Sequence, residues 1–564
     1  MQEQHKNMTH LERYTLWCQK ATDKSVLDGL QAMHNNAAAI DNAFFKDLEF
    51  GTGGLRGELG AGTNCLNVYT IAKVTQGIAL NMKAEGLKSV AVSMDSRNQS
   101  DIFSVRVAEI FAANGIKVTL SATCMPTPFL SYMVRQTQSD MGIMITASHN
   151  PAQYNGYKVY DADGCQLTDA RANNMIGYIE KVDPFSVQSG NIKEYIAQGL
   201  VVYANESLTH NYMAEVLAQS VANTQEIQKA NLKVLFTPLN GAGYSLIPTV
   251  LKKIGITDLH TVPEQSYPDG NFVTCPYPNP EKPEALKLGL ELAQKIDADI
   301  LIATDPDADR IGVSVKTCSG YRNLTGNETG VLITDYLFNR RIQNGTLPKN
   351  PVLIKTIVTT ELVSKVATCY GAEVRNVLTG FKYIGEMIKT LELAGEVNRY
   401  VFGLEESCGY LAGTYVRDKD AVIASMLVAE MAAYYKTIGI SLAEKMEELY
   451  TKFGTYSHKL VTKEFAGASG NATMKKLLDS LRANAPTHIQ DIGVTKTLDY
   501  LTQTQLDLPK SNVLSYDLQG GSQLIVRPSG TEPQIKFYLT AAKTPNENKV
   551  VFEKLEKFIA ERFG

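Results

Sequence analysis

Four stretches of this sequence join reactive side chains to residues that turn the backbone sharply, and each follows an apolar, strand-like run. Thr146-Ala147-Ser148-His149-Asn150-Pro151 comes directly after Met141–Ile145. A serine at the end of a buried strand, with a histidine beside it and a proline limiting the turn, is placed for covalent catalysis. The same hexapeptide also reads as a helix N-cap or an ordinary turn. No G-x-S-x-G surrounds Ser148, so it is not a hydrolase nucleophile elbow. Sequence neighbours rarely face each other, so His149 need not be the base for Ser148.

Asp305-Pro306-Asp307-Ala308-Asp309-Arg310 follows Ile300–Ala303. Three carboxylates at alternate positions can turn toward one point and supply the hard oxygen ligands that suit Mg²⁺. Carboxylates that close repel one another unless a cation sits among them. An EF-hand would need Gly where Arg310 stands and Glu where Lys316 stands, which excludes it. A solvated acidic turn fits poorly between the apolar runs on either side.

Arg527-Pro528-Ser529-Gly530-Thr531-Glu532-Pro533 follows Gln523–Val526. It offers a guanidinium fork, two hydroxyls and a glycine that lets backbone N–H groups approach an anion. A surface turn is the alternative for the string alone. In Phe402-Gly403-Leu404-Glu405-Glu406-Ser407-Cys408-Gly409-Tyr410, Glu405 and Ser407 can project together onto adjacent hydroxyls of a sugar, although acidic helix starts look alike. Gly51-Thr52-Gly53-Gly54-Leu55-Arg56-Gly57 is a glycine-rich loop ending in Arg. It is neither a P-loop nor G-x-G-x-x-G, so it reads equally as an anion support or a flexible turn.

The elements that must position these loops alternate. Strand candidates at Val90–Met94, Val118–Leu120, Ile143–Ile145, Lys233–Phe236, Ile300–Ala303, Val352–Val358 and Tyr400–Leu404 are separated by helix-length segments such as Ser104–Asn114. That alternation argues for βαβ units and an α/β architecture with mainly parallel sheets, whose functional loops lie past the carboxyl ends of strands. The first 45 or so residues read as polar helix, with Leu11, Tyr14, Leu16 and Leu27, Leu30, Met33 at loosely helical spacing. Pro263–Pro283 holds six prolines and Asp269-Gly270, which predicts a loop or extended connection. Past residue 453 the strand candidates His458–Thr462, Gln523–Val526 and Ile535–Thr540 suggest an α+β unit.

At 564 residues, 44% hydrophobic and 20% charged, the chain can bury several cores. A net charge of −4 from 55 Lys+Arg against 59 Asp+Glu excludes the cationic field of a bulk nucleic-acid binder, though not a local basic pocket. The most apolar run, Val422–Tyr435, is short and broken by Glu430, below the roughly 20 residues that span a bilayer. The N-terminus has no signal-peptide core. Eight scattered cysteines with no C-x-x-C pair point to reduced thiols in a cytoplasmic protein and against zinc sites. No His-rich metal pattern is present either.

Taken together and in this order, the motifs resemble the α-D-phosphohexomutase superfamily, and within it the longer phosphoglucomutase branch that also contains phosphopentomutases. Phe50-Gly51-Thr52, Asn155-Gly156-Tyr157-Lys158 and Arg417-Asp418-Lys419-Asp420 agree with that placing. The resemblance implies four domains around a central cleft: three related α/β domains with mixed, mainly parallel sheets, then a smaller α+β domain. The expected divisions are a helical extension at 1–45, then a phosphoserine domain at 46–205 and a metal domain at 206–322. A sugar domain at 323–453 and a phosphate-binding domain at 454–564 complete the chain. Ser148 matches the family's phosphoserine. Asp305, Asp307 and Asp309 match its Mg²⁺ ligands, joined by an oxygen of Ser148's phosphate. Arg56, His149 and Lys158 match positions around the phosphoserine, with Lys158 favoured over His149 as acid/base. Arg310 lies beside the metal; Glu405, Ser407 and Lys419, with the Thr379-Gly380-Phe381-Lys382 loop, match sugar contacts. Arg527, Ser529, Gly530 and Thr531 match the loop that holds the phosphate not being transferred.

The activity so implied interconverts hexose 1-phosphate and hexose 6-phosphate, with glucose the first candidate sugar and mannose the second, through a phosphoserine and a sugar 1,6-bisphosphate that doubles as activator. The partners are small sugar phosphates, with no nucleic acid and no membrane, and the enzyme is a monomer or homodimer. Leu404, Cys408 and Tyr410 depart from better-known members and bear on the choice of sugar. A phosphopentomutase or a glucose 1,6-bisphosphate synthase would use the same chemistry. An Asp-nucleophile phosphatase shares D-x-D but leaves the Ser148 motif unexplained, and a non-catalytic sugar-phosphate sensor is disfavoured because no motif residue is lost.

Overall fold

A computed structural model of the chain describes residues 8–51, 53–465, 470–504, 506, 508–529 and 534–563. Four sheets follow one another along the sequence, three flanked by helices and mixed in direction, the fourth antiparallel.

The first sheet holds β1 (Leu55–Glu58), β2 (Ser89–Met94), β3 (Lys117–Leu120), β4 (Met141–Ile145), β5 (Tyr154–Asp161) and β6 (Val201–Tyr203) in the order β1-β5-β4-β2-β3-β6. β4, β2, β3 and β6 run parallel; β5 returns antiparallel beside β4, and β1 antiparallel beside β5. The second sheet, with β7 (Lys233–Thr237), β8 (Asp258–Thr261), β9 (Ile300–Thr304), β10 (Ile311–Thr317) and β11 (Gly320–Leu324), has the order β11-β10-β9-β7-β8. The third has β12 (Val352–Thr356), β13 (Glu373–Val377), β14 (Tyr400–Glu405) and β15 (Gly409–Ala412) in the order β13-β12-β14-β15. β4 and β9 are buried at all five positions, as parallel strands covered by helices on both faces must be. That is why they read as unbroken apolar runs. The loops leaving β4, β9 and β14 carry three of the four motifs.

The last sheet holds β16 (Ser457–Glu464), β17 (His488–Ile489), β18 (Ile492–Asp499), β19 (Leu514–Leu518), β20 (Gln523–Pro528) and β21 (Gln534–Ala541) in the order β16-β21-β20-β19-β18-β17. β20 runs two residues past the predicted strand. Arg527 and Pro528 pair only with Lys536 and Ile535 of β21, beyond the end of β19, so the missing proline N–H interrupts no ladder. β12 is shorter than predicted and stops at Thr356. Ile357 and Val358 instead leave the sheet and join Leu378 in an apolar contact with Tyr500, Val513 and Ile525 of the fourth domain.

One apolar core runs without interruption from Met144 of the first domain through Val234 and Ile302 of the second to Ile354 and Phe402 of the third. The opposite face of the first sheet and the fourth domain have cores of their own. Helix Ala421–Thr437 sits in the shared core, and no single helix among the described residues is long and apolar enough to cross a membrane.

The N-terminal segment is helical as expected, over His10–Lys20, Lys24–Ala32 and Ala37–Phe44. Of the spaced set, Tyr14 and Leu30 join its packing face and Met33 lies against it, while Leu27 is exposed. Leu11 is exposed, while Trp17 is buried edge-on against Phe44, Tyr69 and Phe185. Aromatic rings bury more area than leucines and gain from edge-to-face contact, so they select the face.

Candidate active site

Ser148 stands at the turn where β4 ends. Its φ of 51° is in the left-handed region that non-glycine residues seldom enter. The Ser148 N–H donates to the Thr146 hydroxyl at 2.8 Å, and that hydroxyl donates to Asp95 at 2.6 Å. The strained turn aims the serine across the domain boundary, where its hydroxyl donates to Asp305 Oδ2 at 2.8 Å and meets His149 Nδ1 at 3.2 Å.

Asp305, Asp307 and Asp309 are buried at the end of β9, and one carboxylate oxygen from each lies within 4.8 Å of the others. Ala308, with φ 48°, makes the tight turn that points the three inward. Asp305 Oδ1 accepts the backbone N–H groups of Asp309 and Arg310, each at 3.1 Å. Asp307 Oδ2 accepts the Thr127 hydroxyl at 2.8 Å. The other oxygens, Asp307 Oδ1 and Asp309 Oδ1, are buried with no hydrogen-bond partner. Burial, then the charges of Asp307 and Asp309, push the Asp305 carboxyl well above the usual carboxylate range. Hard oxygen donors, two of them orphaned, under mutual repulsion fit a divalent cation such as Mg²⁺.

Two lysines offset part of that charge. Lys158 lies on β5, paired with Met144 of β4, and reaches Asp307 Oδ2 at 2.8 Å and Asp309 Oδ2 at 3.4 Å. Burial opposes its charge, but Asp307 and Asp309 more than compensate and raise the ammonium above its ordinary value. Lys419, from the third domain, reaches Asp309 Oδ2 at 2.9 Å. Its neighbour Asp418 accepts from Tyr160 of β5 at 2.8 Å, tying the Lys419 loop to the first domain. Arg310 pairs with Glu281 at 2.7 Å, and Arg56 on β1 donates to Asn150 at 2.9 Å, so both guanidinium groups flank the serine turn. Burial, then the charges of Arg310 and Arg56, hold His149 well below the usual imidazole range, as a neutral ring.

Glu405 is the last residue of β14 and is buried; burial raises its carboxyl, while Lys419 and Arg310 pull the other way. Ser407 hydrogen-bonds the same carboxylate. A Cβ on Gly409 would come within 2.6 Å of Lys419 Cδ and 2.9 Å of Glu405 Oε1, so the glycine leaves room for both. On the next loop Gly380, with φ 120°, precedes helix Phe381–Leu393, which carries Lys382; the Thr379 hydroxyl is buried without a partner. Arg527 stands apart from the aspartates and meets the Tyr538 hydroxyl at 3.5 Å. The charges of Glu406 and Glu405 reach that same Tyr538, so the arginine faces the β14 loop. Ser529 closes the β20–β21 hairpin by donating its N–H to Gln534. Gly530 and Thr531 lie outside the described residues, as does Thr52.

The structure thus brings Ser148, His149, Lys158, the three aspartates, Arg310, Lys419 and Glu405 to one place. Sequence reading missed Thr127 and Asp95, which orient Asp307 and the serine turn. Neither has a local signal, since Thr127 lies 180 residues from Asp307.

The chain matches the phosphoglucomutase/phosphomannomutase alpha/beta/alpha domains I, II and III over residues 47–185, 210–320 and 325–453. It is 34% identical over 540 residues to a phosphoglucomutase of Staphylococcus aureus (strain MRSA252), covering 93% of this chain and 95% of that protein. It is 36% identical over 512 residues to a phosphoglucomutase of Staphylococcus epidermidis, covering 87% and 90%. In fold it is similar to a phosphoglucomutase/phosphomannomutase family protein from Burkholderia thailandensis, with a TM-score of 0.68 at 18% identity over 91% of this chain and 97% of that one. The open form of parafusin, a phosphoglucomutase from Paramecium, gives 0.68 at 18% over 91% and 95%. Sheet order, site geometry and these likenesses agree: the chain belongs to the phosphoglucomutase/phosphomannomutase family.

Proposed function

We propose that this chain interconverts glucose 1-phosphate and glucose 6-phosphate, with Ser148 carrying the phosphoryl group in transit. The observation that supports this most is the 2.8 Å approach of the Ser148 hydroxyl to Asp305 inside a buried triple carboxylate with Lys158 alongside. Oxygens of Asp305, Asp307 and Asp309, with one from phosphorylated Ser148, would hold Mg²⁺, which supplies positive charge against the anionic phosphoryl group.

In the forward step a sugar hydroxyl attacks the phosphorus on Ser148. The new P–O bond forms as the P–Oγ bond breaks, and the hydroxyl proton passes to a base. His149 is neutral and 3.2 Å from Oγ, whereas Lys158 carries a proton as it stands and is the group able to return one to Oγ. Arg56, Lys158 and Arg310 offset the charge that builds on the equatorial oxygens. Glu405 and Ser407 bind the sugar hydroxyls. Arg527, Ser529, Gly530 and Thr531 hold the distal phosphate, with Lys382, Thr379, Gly380 and Lys419 completing the sugar's surroundings. The resulting glucose 1,6-bisphosphate turns end for end and returns its other phosphoryl group to Ser148. The same bisphosphate primes an unphosphorylated enzyme.

All eight cysteines are free thiols, which supports a reducing, cytoplasmic setting. The test is a coupled assay on glucose 1-phosphate with glucose 1,6-bisphosphate present. Wild type should form glucose 6-phosphate, and Ser148→Ala should stay folded and inactive. Release of free phosphate in place of isomerised sugar, or normal turnover in Ser148→Ala, refutes the reading. Comparing mannose, ribose and deoxyribose 1-phosphates under the same conditions ranks the sugars.

A further inference from the structure

The proline-rich segment of the second domain has no part in the chemistry above, yet its tip reaches the serine turn of the first. Asp269-Gly270-Asn271-Phe272 packs on Arg97 and Asn98, just past β2. A Cβ on Gly270 would lie 2.3 Å from the Asn98 backbone nitrogen, so only glycine permits this approach. Asn98 donates through Nδ2 to Asn271 Oδ1 at 3.0 Å. Phe272, fully buried and at a left-handed φ of 46°, lays its ring over the Arg97 guanidinium, 5.0 Å from the ring centre.

Arg97 is itself buried and spends its donors on the serine turn. Nε and Nη2 donate to the Ser148 carbonyl at 3.1 and 2.5 Å, Nη2 also to the Asn150 carbonyl, and Nη1 to the Pro151 and Tyr154 carbonyls, each at 2.9 Å. Asp95 stands 3.4 Å from Nε. The in-plane edges of the guanidinium are therefore taken up, and Phe272 covers a face, the geometry of a cation–π contact.

The other end of the segment is fixed near the aspartates. The Asp269 N–H donates to the Asn240 carbonyl at 3.1 Å, and Asn240 Nδ2 donates to the Tyr267 carbonyl at 2.9 Å. Two residues on, the Ala242 N–H donates to the carbonyl of Pro306, inside the Asp305–Asp309 turn, at 2.8 Å. A continuous path thus runs from the aspartate turn through 240–242 and 269–272 to Arg97 and the Ser148 carbonyl.

We propose that Arg97 is a positioning residue for Ser148, and that Phe272 of the neighbouring domain keeps it in register with the metal-binding aspartates. The inference rests on the reading of Ser148 as phosphoryl carrier. Lysine cannot substitute for Arg97, because one ammonium cannot address four carbonyls from a planar fork.

The test uses the full-length enzyme carrying Phe272→Leu, which keeps an apolar side chain and removes the ring face, and separately Arg97→Lys. For each, kcat and KM on glucose 1-phosphate, the Mg²⁺ concentration at half-maximal rate, and amide hydrogen exchange across 146–154 are measured. The expected result for both is a fall in kcat of about 10-fold or more with KM changed less than about 3-fold, the pattern of an interaction felt in the transition state. Half-saturating Mg²⁺ should rise, and exchange should quicken at 146–154 while the rest of the first domain keeps its protection. Wild-type kcat with wild-type exchange in Phe272→Leu overturns the proposal. So does loss of protection spread evenly over both domains, which marks general destabilisation. If wild type shows no mutase turnover but Phe272→Leu still loosens 146–154, the functional reading fails and the positioning contact stands.

Discussion

The Ser148 hydroxyl donates to Asp305 Oδ2 at 2.8 Å, although the two residues are 157 apart in the chain and belong to different domains. One turn supplies the phosphoryl carrier and the other the carboxylates, so the relative seating of two domains is part of the active site.

Asp305→Ala should therefore disable chemistry more than substrate capture. Removing one oxygen ligand of the proposed Mg²⁺ site weakens the positive charge set against the transferring phosphoryl group and is expected to lower kcat by about 100- to 1000-fold, with KM for glucose 1-phosphate little changed. Titration calorimetry with Mg²⁺ should show weakened binding. Undiminished Mg²⁺ affinity would place the ion elsewhere.

Lys158→Met tests the charge balance without metal. Wild type pairs Lys158 with Asp307 and Asp309 at 2.8 and 3.4 Å, so removing the ammonium leaves buried carboxylates to repel one another. In EDTA the variant should melt several degrees below wild type, and saturating Mg²⁺ should close most of that gap. Its kcat should fall by about 100-fold or more through loss of a positioned proton donor. Equal melting temperatures in EDTA would contradict this account.

Gly409→Ala separates fold from function. The added methyl would lie 2.6 Å from Lys419 Cδ, 2.9 Å from Glu405 Oε1 and 3.0 Å from Glu405 Cγ, all side-chain atoms. The fold can accommodate it, with a melting temperature close to wild type, but the two side chains assigned to the sugar must shift. KM for glucose 1-phosphate should rise about 10-fold, and a steady-state titration with substrate reads the effect. An unchanged KM would remove Glu405 and Lys419 from the sugar site.

Glu430 sets a pH dependence of stability far from the chemistry. It is fully buried in helix Ala421–Thr437, accepts from the Ser220 hydroxyl and the Val221 N–H, and burial pushes its carboxyl up to about 7. The folded state then keeps a proton that the unfolded chain releases near its ordinary value of 4.5. Between those two values the folded state binds more protons, so this group's contribution falls as pH rises and levels off above about 7. Relative to wild type, Glu430→Gln should gain up to about 3 kcal/mol between pH 4.5 and 8. Urea midpoints of both proteins across that range check it, and parallel curves would rule it out.

The sequence by itself determined the alternation of buried strands and helices and the placing of reactive turns at strand ends. A strand covered on both faces must be a continuous apolar run, and Met141–Ile145 and Ile300–Ala303 show this in their letters alone. The D-x-D-x-D spacing was likewise legible, because three carboxylates on one tight turn share a local geometry. Local spacing did not hold which turns meet; that Ser148 joins the aspartates was implied by the family resemblance alone. Asp305 facing Ser148, Thr127 facing Asp307, Lys419 reaching Asp309 and Phe272 covering Arg97 all arise from packing between domains, across separations that local spacing does not constrain. Tertiary structure also decided that Trp17 and not Leu11 forms the N-terminal contact, and that Ile357 and Val358 leave their strand to meet the fourth domain. In each case the buried area available from a distant partner outweighed the local pattern, which is why those choices appear only once the chain is folded.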